Sequence, residues 1–142
     1  MQLRVYTEYA IQILRVLAIH EPDGQPIGSI VKELNIPYSA ATQIAVKMTQ
    51  ADLLDSVQGR NGGYRLGRPA AEISVYDVYR CFEGELQISH YLLKDRQDDI
   101  GEEHDGKLRT YLQDLQEKMI AEMSSVSIAD IAKKQADEHA TG

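Results

Sequence analysis

The sequence has little cysteine, no long apolar run and no excess of positive charge, and each shortage excludes a class of protein. Cys81 is the single cysteine among 142 residues, so an internal disulfide is excluded and the reducing cytoplasm is the expected location. No stretch of about 18 apolar residues occurs, and we expect no membrane-spanning helix. The first residues carry Arg4 and Glu8 around few apolar residues, so we expect no secretory signal.

The net charge of −7 argues against a nucleic-acid partner until its distribution is considered. Residues 1–69 carry seven Lys or Arg against six Asp or Glu, whereas residues 70–142 carry eight against sixteen. Screening limits the reach of surface charges to about 8 to 10 Å, so the local balance decides whether a surface attracts phosphate. The N-terminal half therefore remains a candidate for binding an anion.

Apolar spacing in that half predicts three helices. The first covers about residues 5–19, and the second runs from Ile27 to Leu34, with Asn35 as a left-handed stop. The third covers about 38–51, after a tight connection at Ile36 and Pro37. Two short helices joined by a few residues are typical of a helix-turn-helix.

The segment GRNGGYRLGRP at 59–69 is the most unusual in the chain, with four glycines and three arginines. It is not a P-loop, because the Gly-Lys-Ser/Thr ending is missing, and it lacks the G-x-G-x-x-G spacing of a dinucleotide fingerprint. The flanking residues 54–58 and 64–66 can pair as strands, with Gly59, Asn61, Gly62 and Gly63 accepting positive φ between them. We therefore predict a hairpin with a basic, flexible tip, and the order of elements is that of a winged helix.

The C-terminal half predicts a different arrangement. Ser74-x-x-Asp77 resembles a capping box for a fourth helix that Gly84 closes, and an acidic loop follows over 85–106. A long helix then carries an apolar stripe with coiled-coil-like steps, which predicts dimerisation. The stripe consists of Leu108, Leu112, Leu115, Met119, Met123 and Val126. Ser127-x-x-Asp130 caps a short final helix, and 137–142 form a frayed tail.

A DNA-binding face is predicted from the third helix together with the hairpin. Opposite the apolar positions of the helix lie small hydroxyls, an amide that can pair with adenine, and a cation. Arginines at the hairpin can contact phosphate, and Arg68 lies at its end. The predicted DNA-binding residues are Ser39, Thr42, Gln43 and Lys47 on the helix, beside the outward Val46, and Gln58, Arg60, Asn61 and Arg65 on the hairpin.

These segments resemble the Rrf2 (Rrf-two) family of winged helix-turn-helix regulators, which includes the IscR and NsrR types. The resemblance rests on Tyr9-Ala10, I-x-x-S-x-x-x-Q-I-x-x-K from Ile36, G-x-x-G-G-Y-R-L-x-R-P from Gly59 and E-I-S-V-Y-D-V from Glu72. It implies a bacterial transcription regulator, usually a repressor, that dimerises through the long helix and binds a near-palindromic operator. The implied organisation is a DNA-binding domain over 1–84, an acidic effector region over 85–106 and a dimerisation segment over 107–136.

Many members of that family hold an iron–sulfur cluster on three cysteines, and this chain departs from them. Residues 85–106 contain no cysteine, so the expectation is a member that carries no cofactor. Thr42 also stands where the family often has glutamate, and Gln58 where it often has arginine. A small molecule or a protein partner is the expected effector.

Other side chains raise alternatives. Cys81 is a candidate thiol sensor, although its place beside Phe82 suggests an inert core cysteine. His90 and His104 could bind a metal but are more often solvated. Besides a dimeric repressor, the chain could be a protein-interaction module with a degenerate winged helix. An enzyme ranks lowest, because no catalytic set is placed by spacing.

Overall fold

The computed structural model describes residues 3–59, 62–89 and 102–133, and it is mainly helical with one small hairpin. This confirms the predicted fold class. The elements are α1 (Val5–Ile19), α2 (Ile27–Leu34), α3 (Tyr38–Gln50), β1 (Leu54–Val57), β2 (Gly63–Leu66), a 3₁₀ turn (Ala70–Glu72), α4 (Val75–Glu83) and α5 (Glu102–Ser125), followed by a helical segment over 128–133.

The core is built around α3, which packs on α1, α2, β1 and α4. Its inward face is fully buried and alternates small with large side chains, at Ala41, Ile44, Ala45 and Met48. Alanines let two helix axes approach closely, because interaxial distance is set by the side chains at the contact. The facing residues of α1, such as Ile13 and Leu14, are fully buried as well.

Two helices begin or end at the capping and stop residues that the sequence predicts. Asn35 ends α2 in the left-handed conformation, with φ 55° and ψ 48°. Ser74 and Asp77 form a complete capping box at the start of α4, in which the Asp77 N–H donates to Ser74 Oγ over 3.0 Å. Gly84 follows α4 with φ 79°, a value that favours glycine.

The start of α1 is held by a residue far away in the chain. Arg4, at the N-cap position, provides no side-chain cap. Instead, Thr7 Oγ1 donates to Glu83 Oε2 over 2.6 Å, and Thr7 is fully buried. A carboxylate near a helix N-terminus is stabilised by the helix dipole, so the end of α4 caps the start of α1.

The hairpin pairs with a third segment of the chain in addition to its own two strands. Leu54 pairs with Leu66 and Val57 with Gly63, and Gln25 forms a bridge with Tyr64 on the other edge of β2. Among the described glycines at the tip, only Gly59 has a positive φ, of 119°. Gly63 is needed for a different reason from the predicted one, because a Cβ there would collide with the Gln25 carbonyl oxygen.

The segment after α5 folds back onto the N-terminal domain. The Val75 N–H donates to the Val126 oxygen over 2.9 Å, and the Ile128 N–H donates to the Ile73 oxygen over 2.8 Å. Ser127 and Asp130 form the predicted cap, with the Asp130 N–H donating to Ser127 Oγ over 3.1 Å. Ile128 is fully buried in the main core, so the short final helix belongs to that core.

Helix α5 begins at Glu102, earlier than the predicted start near 106, so the last residues of the predicted acidic loop are helical. The run of charged residues with glycine at 106 obscured this start, because polar helices lack the apolar periodicity on which the prediction relied. None of the helices in the described part of the chain is long and apolar enough to cross a membrane.

The docking of the final segment can be tested by trimming Ile128. Ile128→Ala is expected to lower the free energy of unfolding by about 2–5 kcal/mol, since it removes buried methyl groups and leaves a cavity. Urea denaturation measures the change. Ile19→Ala is the matched control. Because Ile19 is 46% exposed, this substitution should change the free energy of unfolding little. Equal effects of the two substitutions would show that the segment does not dock.

Candidate nucleic-acid interface

The outward face of α3 presents a line of four exposed side chains. They occupy positions i, i+4, i+7 and i+11, which fall along one side of an α-helix and are Ser39, Gln43, Val46 and Gln50. The line runs opposite the buried face that holds Ile44 and Met48, so packing leaves it free to enter a groove. Gln50 was absent from the sequence-based prediction, although its spacing from Gln43 could have identified it.

Thr42 and Lys47, two predicted DNA-binding residues, flank this line. The Thr42 hydroxyl donates to the carbonyl oxygens of Tyr38 and Ser39 at 3.0 and 2.9 Å, so its proton is used within the helix. Lys47 Nζ lies 5.5 Å from the centre of the Phe82 ring, which holds the ammonium group on the α4 side. The flanking position of Lys47 suits contact with a phosphate better than contact with a base edge.

A cleft of about 360 Å³ lies beside Lys47, between the start of α1 and the outward face of α3. It is lined by Arg4, Val5, Tyr6, Gln43, Lys47 and Phe82. Arg4 and Lys47 are both exposed, so the cleft has a cation at two of its edges. Arg4 therefore places a second cation near Lys47, on the α1 side of α3, which sequence spacing did not reveal.

The hairpin lies next to α3 in the chain and presents exposed polar residues. Gln58 and Arg65 are exposed, while the predicted Arg60 and Asn61 lie outside the described residues. Arg68 is turned away from this surface, because its Nη2 lies 3.8 Å from Asp77 Oδ2 at the start of α4. Arg68 therefore joins the end of the hairpin to α4.

The predicted dimerisation stripe on α5 is incompletely covered. Leu108 is 49% and Leu115 36% exposed, and Tyr111 beside them is 61% exposed. Leu112, Met119 and Met123 are half-buried. Leu108, Tyr111 and Leu115 are three and four positions apart, so they form an exposed apolar strip along one side of α5.

Comparison with known families agrees with this architecture. The model of a family described as "Rrf2: Iron-dependent Transcriptional regulator" matches residues 3–134. The chain belongs to the Rrf2 family. Its relatives in that family are regulators of transcription and not enzymes.

Individual Rrf2 relatives match over different extents. The chain is 30% identical to the "HTH-type transcriptional regulator NsrR" of Halalkalibacterium halodurans over 89 residues, which is 62% of this chain and 61% of that one. The chain spans less than two thirds of the length of the curated relatives it matches. Solved structures share the fold over more of the chain. CymR (YrzC) of B. subtilis has a TM-score of 0.78 at 21% identity, covering 94% of this chain and 98% of its own. T. potens IscR has a TM-score of 0.74 at 23% identity, covering 95% and 88%.

The residues of this Rrf2 member do not fit the iron–sulfur cluster that many members of the family hold. A cluster site on three cysteines cannot be built from Cys81 alone. Within the described ranges no group of three His, Cys, Asp or Glu side chains could hold a metal ion. His90 lies outside the described residues, and the side chain of His104 is not described, so neither enters this comparison.

Cys81 lies on α4, where its side chain faces α3 and is half-buried against the core. Its Sγ lies 3.9 Å from the Lys47 carbonyl oxygen. Burial raises the pKa of the Cys81 thiol, while the positive charge of Lys47 acts in the opposite direction and lowers it. Because the thiolate is the reactive species, the environment of Cys81 suppresses its reactivity.

Alkylation kinetics test this assignment of Cys81. The native protein is expected to react with iodoacetamide more slowly than the urea-unfolded chain, with its rate rising at higher pH, because burial disfavours the thiolate. Lys47→Met should slow the native reaction further. A native rate equal to or above that of the unfolded chain would instead identify Cys81 as an activated thiol.

Proposed function

We propose that this Rrf2 regulator is a homodimeric repressor that binds a near-palindromic operator in duplex DNA. The observation that carries the proposal is the exposed line on α3, with a basic hairpin following it in the chain. In a helix-turn-helix the second helix enters the major groove and its outward residues reach the base edges. Gln43 and Gln50 carry the amide group that pairs with adenine N6 and N7.

Affinity in the proposed complex comes mainly from the sugar–phosphate backbone. Arg4 at the start of α1 and Lys47 on the flank of α3 are exposed cations that line one cleft with Gln43. Arg65 is an exposed cation on β2. Arg60 is expected to contribute as well, from the sequence. Such contacts release counterions and hold the protein in register without selecting a base.

The proposed dimer is formed by α5. The exposed apolar strip from Leu108 to Leu115 is left without a cover among the described residues, and a two-fold partner covers it with the same strip. Two copies of α3 would then lie about one DNA turn, roughly 34 Å, apart, which explains the near-palindrome. The half-buried Leu112, Met119 and Met123 extend the same interface.

The proposed regulator works without an iron–sulfur cluster and in the cytoplasm. The one cysteine per chain supports the first statement, because it leaves the three-cysteine site of the IscR and NsrR types incomplete. Its release from DNA is then controlled by a small molecule or a protein partner.

A second candidate function, a protein-interaction module with a degenerate winged helix, is favoured only by the acidic charge of residues 70–142. Salt-sensitive binding to duplex DNA separates the two functions.

The contribution of the hairpin is tested with Arg65→Ala. The variant is expected to bind all duplexes more weakly and to lower the slope of log affinity against log salt by about one, because one phosphate contact is lost. Fluorescence anisotropy at several salt concentrations measures both quantities. Lys118→Ala removes an equal charge from α5 and should change neither. An unchanged slope in Arg65→Ala would place the hairpin away from DNA.

The dimer is tested with Leu108→Ser combined with Leu115→Ser. Each leucine contributes about 1.5–3 kcal/mol when fully buried, so the pair should raise the dimer dissociation constant about a hundredfold or more. Sedimentation equilibrium measures that constant, and circular dichroism checks that the chain still folds. Gln113→Ser with Glu117→Ser is the matched control on exposed positions of the same helix. A parent protein that sediments as a monomer at micromolar concentration would exclude the dimer.

A further inference from the structure

We propose that Val46 reads the 5-methyl group of one thymine in each operator half-site. The inference rests on the proposed function and names part of the sequence that the regulator selects. The inference begins from an apolar side chain that does not pack in the core. Val46 is 52% exposed, although the inward face of the same helix is completely buried.

Exposure alone does not carry this inference, since single apolar side chains are common on protein surfaces. The inference rests on the position of Val46 on α3. Val46 lies in the exposed line between Gln43 and Gln50, which are both polar. In the major groove the thymine methyl is the apolar group that base edges present, and an apolar side chain is its natural contact. A valine at the centre of a base-reading line therefore selects thymine by the burial of methyl groups.

The neighbouring residues support contact with a base at this position. Thr42, one turn before Val46, keeps its hydroxyl on the helix carbonyls of Tyr38 and Ser39. Lys47 is held over Phe82, away from the line. Within the exposed line, Val46 is therefore the side chain that meets a groove with methyl groups and no polar atom.

The spacing predicts where the thymine lies. Val46 lies three positions after Gln43, which is about 4.5 Å along the helix axis at 1.5 Å per residue. Successive base pairs are about 3.4 Å apart. The thymine is therefore expected within one or two base pairs of the adenine that Gln43 contacts, in an A·T-containing step of each half-site.

The test removes the methyl group from the DNA and from the protein in turn. A preferred operator is first selected from random duplexes with the parent protein. Each thymine of one half-site is then replaced by deoxyuridine, which lacks only the methyl group. Parent protein is expected to lose about fourfold in affinity at one position, the value for burying about one methyl-sized group.

The same series with Val46→Ala is expected to show no loss at that position, while its salt dependence stays that of the parent. Replacing the thymine by cytosine should weaken parent binding, and 5-methylcytosine should recover part of the loss, because the methyl group returns without the rest of thymine. Gln43→Ala is the control variant: it should lose its adenine preference and keep its sensitivity to deoxyuridine.

The outcomes separate this inference from the function on which it rests. Specific, salt-sensitive binding with no deoxyuridine effect, or with an effect that persists in Val46→Ala, would overturn the role of Val46 and leave the regulator intact. Failure of the parent protein to select any duplex would overturn the proposed function and this inference with it.

Discussion

The close contact between α3 and the rest of the core is the constraint on which the other features depend. Ala41 and Ala45 are fully buried, and a larger side chain at either position would push α3 away from its neighbours. The same burial fixes the rotation of the helix, so it determines which side chains face outward. The line that contains Gln43 and Val46 is therefore a consequence of how the opposite face is packed.

Elements around α3 are held in place by contacts between distant parts of the chain. Glu83 at the end of α4 caps the start of α1 through Thr7, and Arg68 joins the hairpin to Asp77 at the start of α4. Asp77 also completes the capping box with Ser74, so one carboxylate serves a helix start and the hairpin together. Charged side chains at both ends of α4 therefore take part in contacts between elements.

The sequence was sufficient where the signal is local. The three N-terminal helices, the left-handed Asn35, both capping boxes and the hairpin follow from spacing and turn chemistry, because each depends on residues a few positions apart. The side-chain contacts of Lys47 with Phe82 and of Thr7 with Glu83 did not follow, since they join residues distant in sequence. The glycine-rich tip was partly misread: Gly63 is explained by its close approach to Gln25, which no local rule predicts. The distinction between the exposed line on α3 and its flanking positions also required the three-dimensional packing.

The return of residues 126–128 to the N-terminal domain has a consequence for the order of events during synthesis. Ile128 fills the core that α1, α3 and α4 surround, and its backbone pairs with Ile73. Chains fold from the N-terminus as they leave the ribosome, at about 5–20 residues per second. The winged-helix core therefore cannot be completed until α5 has emerged behind it. A nascent chain that stalls before residue 128 contains every helix and strand from α1 to α5 but lacks one side chain of the shared core, so the N-terminal domain reaches its full stability only after α5 has been synthesised.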